Sequence, residues 1–200
     1  HPRQQLSMNL NVNEIFYSLQ GEGGRTGQAS IFIRLAKCNL ACSFCDTDFE
    51  RGVKMTLEEV LNEIESWPCK WIVWTGGEPT LQLTDEVVDF FKERGYSQAI
   101  ETNGTRRVPK GIDYITCSPK QHFEKVKELI PIVDELRFPI EKGDPLPDIT
   151  ILPKSERYLL SPIFDNQKMI PENVDYCISL VRLNPVWALS LQTHKLIGIR

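Results

Sequence analysis

Two hundred residues with 41% hydrophobic and 25% charged content suit one soluble globular domain that buries its own core without disulfide staples. A net charge of -4 and a pI near 5.5 leave no electrostatic footprint for nucleic acid, and Arg106-Arg107 with Lys110 is too small a cluster to change that. No apolar run approaches membrane-spanning length and no signal-peptide pattern precedes the first strand, so neither a membrane nor secretion is expected.

Residues 1–7 read as a remnant foreign to the fold, with Met8 as the native start and one domain over 8–200. From Glu14 a short apolar stretch runs into Gly21, Gly23, Gly24 and Gly27, which suits either backbone pressed against a ligand or plain turns. Ile31 to Ala36 is a buried strand, and Cys38, Cys42 and Cys45 lie on the loop that leaves its C-terminal end. Thr56-Leu57-Glu58-Glu59 is a capping box that opens a helix through Ser66, stopped by Pro68, with Leu57, Val60, Leu61 and Ile64 on one face. Trp71 to Trp74 is continuously apolar, as a strand buried on both faces should be, and Thr75-Gly76-Gly77-Glu78-Pro79 follows at its end.

A second helix runs from Thr84 through Arg94 with Val87, Val88, Phe90 and Phe91 inward, and Gly95 ends it. Strands are expected over Gln98 to Ile100, Tyr114 to Cys117, Asp134 to Phe138 (ended by Pro139), Tyr158 to Leu160 and Trp187 to Leu191. A weaker helix covers His122 to Leu129, and another begins at Pro171 with Val174, Cys177, Ile178 and Val181 on one face. Alternating strands and helices mean parallel strands with right-handed crossovers. The crossovers Asn103 to Asp113 and Ile140 to Arg157 are too short or too proline-rich for full helices. The expected fold class is therefore α/β, an incomplete TIM-type barrel of about six parallel strands with few covering helices, with its polar motifs gathered on the C-terminal rim where such barrels hold their sites.

Three thiols within eight residues can wrap one inorganic centre. Thiolates are soft ligands that select iron-sulfur clusters, zinc or copper(I), and a four-iron cluster has four corners. Three local cysteines leave one iron open, which is the mark of a site that does chemistry. A zinc knot or three unconnected core thiols is the plainer reading. Zinc would want a second Cys or His pair, and only the scattered Cys69, Cys117 and Cys177 with His122 and His194 are available. Six cysteines that do not pair by spacing, beside an oxygen-sensitive cluster, point to a reducing cytoplasm.

The Cys-x3-Cys-x2-Cys spacing with Phe44 before the last cysteine resembles the signature of the radical S-adenosylmethionine (SAM) superfamily. Phe16 to Gly23, Cys45-Asp46-Thr47, Thr75 to Pro79, Glu101-Thr102-Asn103-Gly104, Ser118-Pro119-Lys120 and Leu191 to Lys195 together are similar to the 7-carboxy-7-deazaguanine synthase family. That resemblance implies a lyase of queuosine and deazapurine biosynthesis. Such an enzyme contracts 6-carboxy-5,6,7,8-tetrahydropterin to 7-carboxy-7-deazaguanine and releases ammonia. It also implies a homodimer, a flavodoxin- or ferredoxin-type electron donor and Mg2+.

By the same resemblance, Cys38, Cys42 and Cys45 ligate one 4Fe-4S cluster. SAM is held by Phe44, Cys45, Asp46, Gly77, Glu101, Asn103, Ser118, Pro119, Lys120 and the run Ser161, Pro162, Ile163 and Phe164. The glycines before Glu78 would capture the methionine end through backbone amides, an ordinary turn being the alternative. Leu19, Gln20, Gly21, Arg34 and Thr75 are assigned to the substrate, and Arg200, the last residue of an Ile-Gly-Xaa tail, is counted with them. The chemistry agrees: a pterin edge wants amide-type partners and a carboxylate wants a guanidinium fork. Arg34 could instead pair with a strand neighbour. Thr47, otherwise a loop hydroxyl, matches the family's magnesium ligand. His194 reads as a packed or surface histidine with no chemical role. Two alternatives stand beside this reading: an activating enzyme for a glycyl-radical protein, and a non-catalytic zinc or electron-transfer module.

Overall fold

The computed structural model describes residues 8–36 and 52–200, which form two compact units. One takes in residues 8–17, 30–36, 52–100 and Val108–Asp113. The other takes in Ser18–Ala29, Glu101–Arg107 and Tyr114–Arg200. The cysteine loop, with Cys38, Cys42, Phe44, Cys45, Asp46 and Thr47, lies outside the described residues.

The first unit is built on strands β1 (Asn9–Leu19), β2 (Ala29–Leu35), β3 (Val53–Thr56), β4 (Trp71–Gly76) and β5 (Ser97–Thr102), in the order β3-β1-β2-β4-β5. β2 pairs with β4 and β4 with β5 in parallel, while β1 and β3 pair antiparallel. The parallel strands read as unbroken apolar runs because both faces are covered: Ile31, Ile33, Leu35, Ile72, Val73 and Trp74 are all buried. Helices α1 (Leu57–Ile64) and α2 (Asp85–Glu93) start at threonine caps. Thr56 and Glu59 form the expected capping box, and the Thr84 hydroxyl accepts from the Val87 N–H. Phe91 of α2 meets Trp74 edge-on with ring centroids 5.5 Å apart. Phe90, expected inside, is only half-buried and lies under the Arg94 guanidinium, 3.5 Å from the ring centre.

β1 and β3 did not stand out in the sequence. β1 is eleven residues of period-2 alternation, with Leu10 and Val12 inside. Its partner positions are Asn9, Asn11 and Asn13, residues poor in strand propensity, and the pairing with β3 through Leu10↔Met55 and Val12↔Val53 supplies what propensity does not.

The second unit carries β6 (Tyr114–Cys117), β7 (Ile132–Ile140), β8 (Lys154–Pro162) and β9 (Trp187–Leu189) in sequential, parallel pairing. Helices α3 (Phe123–Leu129), α4 (Pro171–Leu183) and the single turn α5 (Thr193–Leu196) join them. Proline does not end β7, which continues past Pro139 to Ile140 opposite Pro162, since a missing N–H removes one donor without forbidding extended backbone. Along β7 the pleat sends Leu136 and Phe138 to one side, where Phe138 packs edge-on against Phe123 and Trp187. Glu135 and Arg137 go to the other side, and both are buried.

Candidate functional site

Two groups of polar residues stand at strand ends, one in each unit. In the first, the parallel register of β2 and β4 sets Arg34 opposite Thr75 and Leu35 opposite Gly76, so two of the residues assigned to substrate are neighbours. The Arg34 Nε donates to Glu14 Oε1 at 3.1 Å. The strand-neighbour pairing open to this arginine is thus present, and a guanidinium with five donors can serve a second carboxylate as well.

The chain leaves β4 through Gly76 at φ +112°, where a Cβ would strike the backbone of Leu35, so only glycine fits. The Gly77 N–H donates to the Leu35 carbonyl at 2.9 Å. Buried Glu78 accepts from the N–H of Thr80 at 3.0 Å and from its hydroxyl, closing the 3-10 turn Pro79–Leu81. The motif is therefore a knuckle tied to the neighbouring strand. The Gly77 N–H is thus engaged by the Leu35 carbonyl within this unit.

In the second unit the glycine block, Glu101 just past Ile100, β7 and β8 meet around one guanidinium. Arg137 donates through Nη1 to Glu22 (3.2 Å) and Glu101 (3.3 Å), and through Nη2 and Nε to Glu135 (3.2 and 3.3 Å). The Ser161 hydroxyl donates to Glu22 at 3.3 Å. The Gln20 side chain bridges the group, its Nε2 donating to Glu101 (3.4 Å) and its Oε1 accepting from the Glu22 N–H (3.2 Å). Burial raises the Glu22 pKa, Arg137 pulls it down and Glu101 pushes it up again, and the net is upward. Burial alone would lower the Arg137 pKa, but Glu101, Glu22 and Glu135 outweigh it and hold the guanidinium charged.

The C-terminal segment returns to the same block. Thr193 donates its N–H to the Gly21 carbonyl at 2.9 Å, and the His194 ring occupies the space a Cβ on Gly21 would need. Burial, then Lys195, lowers the His194 pKa, so the ring is neutral, and its buried Nδ1 has no hydrogen-bond partner among the described residues. The Ser18 hydroxyl donates to the backbone oxygen of Arg200 at 3.0 Å, bringing the last residue beside Leu19.

The structure thus joins Gln20, Glu101 and Ser161 in one network and sets Gly21 and Arg200 at its edge. Asn103 faces inward on its own loop, accepting from Thr105 N–H (3.1 Å) and hydroxyl (2.7 Å). Ser118 hangs from Thr102 by its N–H at 2.8 Å, and Lys120 is exposed. Ile163 is held by the Ile140 carbonyl at 3.0 Å, and Phe164 is buried under the Lys195 ammonium. Sequence reasoning did not single out Glu22, Glu135 or Arg137, whereas His194, read as a packed or surface histidine, is packed against Gly21. The one available signal was Glu135 and Arg137 two apart in an otherwise apolar strand, which puts opposite charges on one face. Among the described residues no group of three His, Cys, Asp or Glu is arranged to hold a metal, and no helix is long and apolar enough to cross a membrane.

The Radical SAM superfamily profile matches residues 32–177, most of the chain, and with this fold it defines the class: an incomplete α/β barrel of the radical SAM type, a family that works with a 4Fe-4S cluster and SAM. A 7-carboxy-7-deazaguanine synthase of Bacteroides thetaiotaomicron is 45% identical over 96% of this chain and 100% of its own length. That of Haemophilus influenzae is 42% identical over 96% and 94%. The crystal structure of QueE from Escherichia coli superposes with a TM-score of 0.71 at 26% identity, covering 97% of this chain and all of that one. The chain belongs to the 7-carboxy-7-deazaguanine synthase family.

Proposed function

We propose that this protein converts 6-carboxy-5,6,7,8-tetrahydropterin to 7-carboxy-7-deazaguanine with loss of ammonia. The observation that carries this reading is the 45% identity to a 7-carboxy-7-deazaguanine synthase over that enzyme's whole length. The geometry supports it. A pterin needs acceptors for its N–H edge, and the Gln20, Glu22 and Glu101 group offers them. The orphaned Nδ1 of His194 against Gly21 is a further polar atom that a bound substrate would satisfy.

In this reading Cys38, Cys42 and Cys45 hold the cluster, and Thr47 places Mg2+ at the substrate carboxylate. SAM would be held by Phe44 to Asp46, Gly77, Glu101, Asn103, Ser118 to Lys120 and Ser161 to Phe164. When bound, the cluster and SAM would supply the radical chemistry that removes hydrogen from the pterin, while the protein supplies binding and orientation. Leu19 to Gly21, Arg34, Thr75 and Arg200 orient the ring, and the tethered C-terminal segment covers the glycine block. We further propose one functional domain over 8–200 working as a cytoplasmic homodimer, with an external flavodoxin- or ferredoxin-type reductant and no nucleic-acid or membrane partner.

The test is turnover. Reconstituted protein supplied with the tetrahydropterin, SAM, Mg2+ and reductant should release the deazaguanine and ammonia. Replacing Cys38, Cys42 or Cys45 with Ala should abolish iron binding and product, whereas Cys117→Ala should keep both. Absence of product from protein with a full cluster would refute the assignment.

A further inference from the structure

The hub of the buried network has no place in the assignments above. The Arg137 side chain is 8% exposed and serves three carboxylates, of which Glu135 is 1% exposed. Glu135 is satisfied on both oxygens. Its Oε2 takes the Nε and Nη2 edge of Arg137, and its Oε1 accepts from the Tyr114 hydroxyl at 2.7 Å and the Gly24 N–H at 3.2 Å. That clamp fixes the plane of the guanidinium. The remaining nitrogen, Nη1, is shared between Glu22 and Glu101.

A structural tie would need one carboxylate. Here three carboxylates converge on one buried guanidinium. Glu22 and Glu101 are the two that also touch Gln20. Because Gln20 Oε1 accepts from the Glu22 N–H, its Nε2 is turned to Glu101, so the pose of Gln20 depends on where Arg137 holds that carboxylate.

We infer that Arg137 is a positioning residue: anchored by Glu135, it holds Glu22 and Glu101 in place as hydrogen-bond acceptors and through them sets the amide of Gln20. Acceptors fixed in this way take a ligand edge rich in N–H groups, and for the identity of that ligand the inference rests on the pterin reading above. The charged and titratable groups that bear on Glu22 are Arg137, Glu101 and Lys195, with the Ser161 hydroxyl as a hydrogen-bond partner. Removing Arg137 leaves Glu101 and burial raising the proton affinity of Glu22, opposed only by Lys195 and Ser161.

The experiment compares wild type with Arg137→Gln and Arg137→Lys, and with Arg137→Gln/Glu22→Gln, which removes one stranded carboxylate and keeps the test alive should the single Gln variant fail to fold. Carboxyl 13C titration of reconstituted, glutamate-labelled protein, assigned with Glu22→Gln, needs no substrate. Arg137→Gln should move the Glu22 titration upward by about one pH unit or more, a tenfold change in proton affinity, and Arg137→Lys by less. In turnover, kcat/KM for the tetrahydropterin should fall about a hundredfold in Arg137→Gln, the range expected of a misplaced binding group. Its acid limb should shift to higher pH, while iron content and SAM affinity stay at wild-type values. In Arg137→Lys the limb should stay near its wild-type position. In the double variant kcat/KM should likewise stay well below wild type, with iron content and SAM affinity unchanged. An unmoved Glu22 titration in Arg137→Gln, or a wild-type kcat/KM in the double variant, would overturn the inference, as would equal losses of SAM and substrate affinity. Wild-type protein that makes no deazaguanine would instead overturn the pterin reading, and the titrations would then decide Arg137 alone.

Discussion

Gly21→Ala tests whether the glycine block is pressed against the C-terminal segment for function. An ideal Cβ at Gly21 would lie 2.6 Å from the His194 Cγ and 2.8 Å from its Cβ, as well as colliding with Nδ1. Rotation about the first side-chain torsion moves the ring but not the His194 Cβ, so the methyl group must push the backbone of α5 away. That strains the Thr193 N–H to Gly21 carbonyl bond at 2.9 Å. Overpacking of this kind costs about 1–3 kcal/mol. If half of that falls on the substrate-bound form, the KM for the tetrahydropterin should rise about two- to tenfold, since about 1.4 kcal/mol is a factor of ten. The assay is steady-state turnover with SAM saturating, together with a thermal melt. SAM affinity should not change. Gly21→Ala/His194→Gly removes that Cβ together with the ring and restores the space, so the double variant should recover stability relative to Gly21→Ala, with a coupling of about 0.5–3 kcal/mol. A wild-type KM and melting temperature in Gly21→Ala, or no recovery in the double variant, would refute the steric argument.

Other perturbations follow from single contacts. Trp74 donates its indole N–H to Gln98 Oε1 at 2.9 Å in a fully buried setting. Trp74→Phe strands that oxygen, so stability should fall by about 1–3 kcal/mol, read as a lower urea midpoint at constant m-value; an unchanged midpoint contradicts it. Burial, with Asp144 adding to it, pushes the Cys177 thiol up to about 11. Iodoacetamide at pH 8 should therefore leave it unmodified in native protein and label it on unfolding, and rapid native labelling would show the thiol to be open. Glu22 has a raised pKa in the folded state, chiefly from burial, so its protonation stabilises the fold at low pH and that contribution is lost as pH rises through the raised value. Glu22→Gln mimics the protonated form, and its melting temperature relative to wild type should climb as pH is raised; a difference independent of pH would be inconsistent with the buried carboxylate described here.

Much of the candidate site was legible because its signals are local. A capping threonine three residues before a glutamate, or a run such as Trp71 to Trp74, states its own element. The rule that polar motifs follow strand ends then put Thr75 and Glu101 on the rim, while Arg34, inside the expected strand Ile31 to Ala36, was assigned by the family resemblance. The β7 end at Pro139 and the inward Phe90 were misjudged because both depend on what lies alongside, a parallel partner for Pro139 and the Arg94 guanidinium for Phe90. The whole of β1 was missed for a similar reason: its asparagines speak against a strand until β3 pairs with it.

By itself the chain determined its class of chemistry, its parallel strands and the candidate residues, since ligand spacing, side-chain period and turn composition are properties of short segments. Tertiary structure decided which donors and acceptors remain for a ligand. It spent the Gly77 amide on Leu35, tied Arg34 to Glu14 and left the His194 Nδ1 without a partner. It also gathered Glu22, Glu101 and Glu135 around Arg137, residues separated by up to 115 positions. No local pattern encodes that grouping, because the partner a buried charge finds depends on which strands the fold brings side by side.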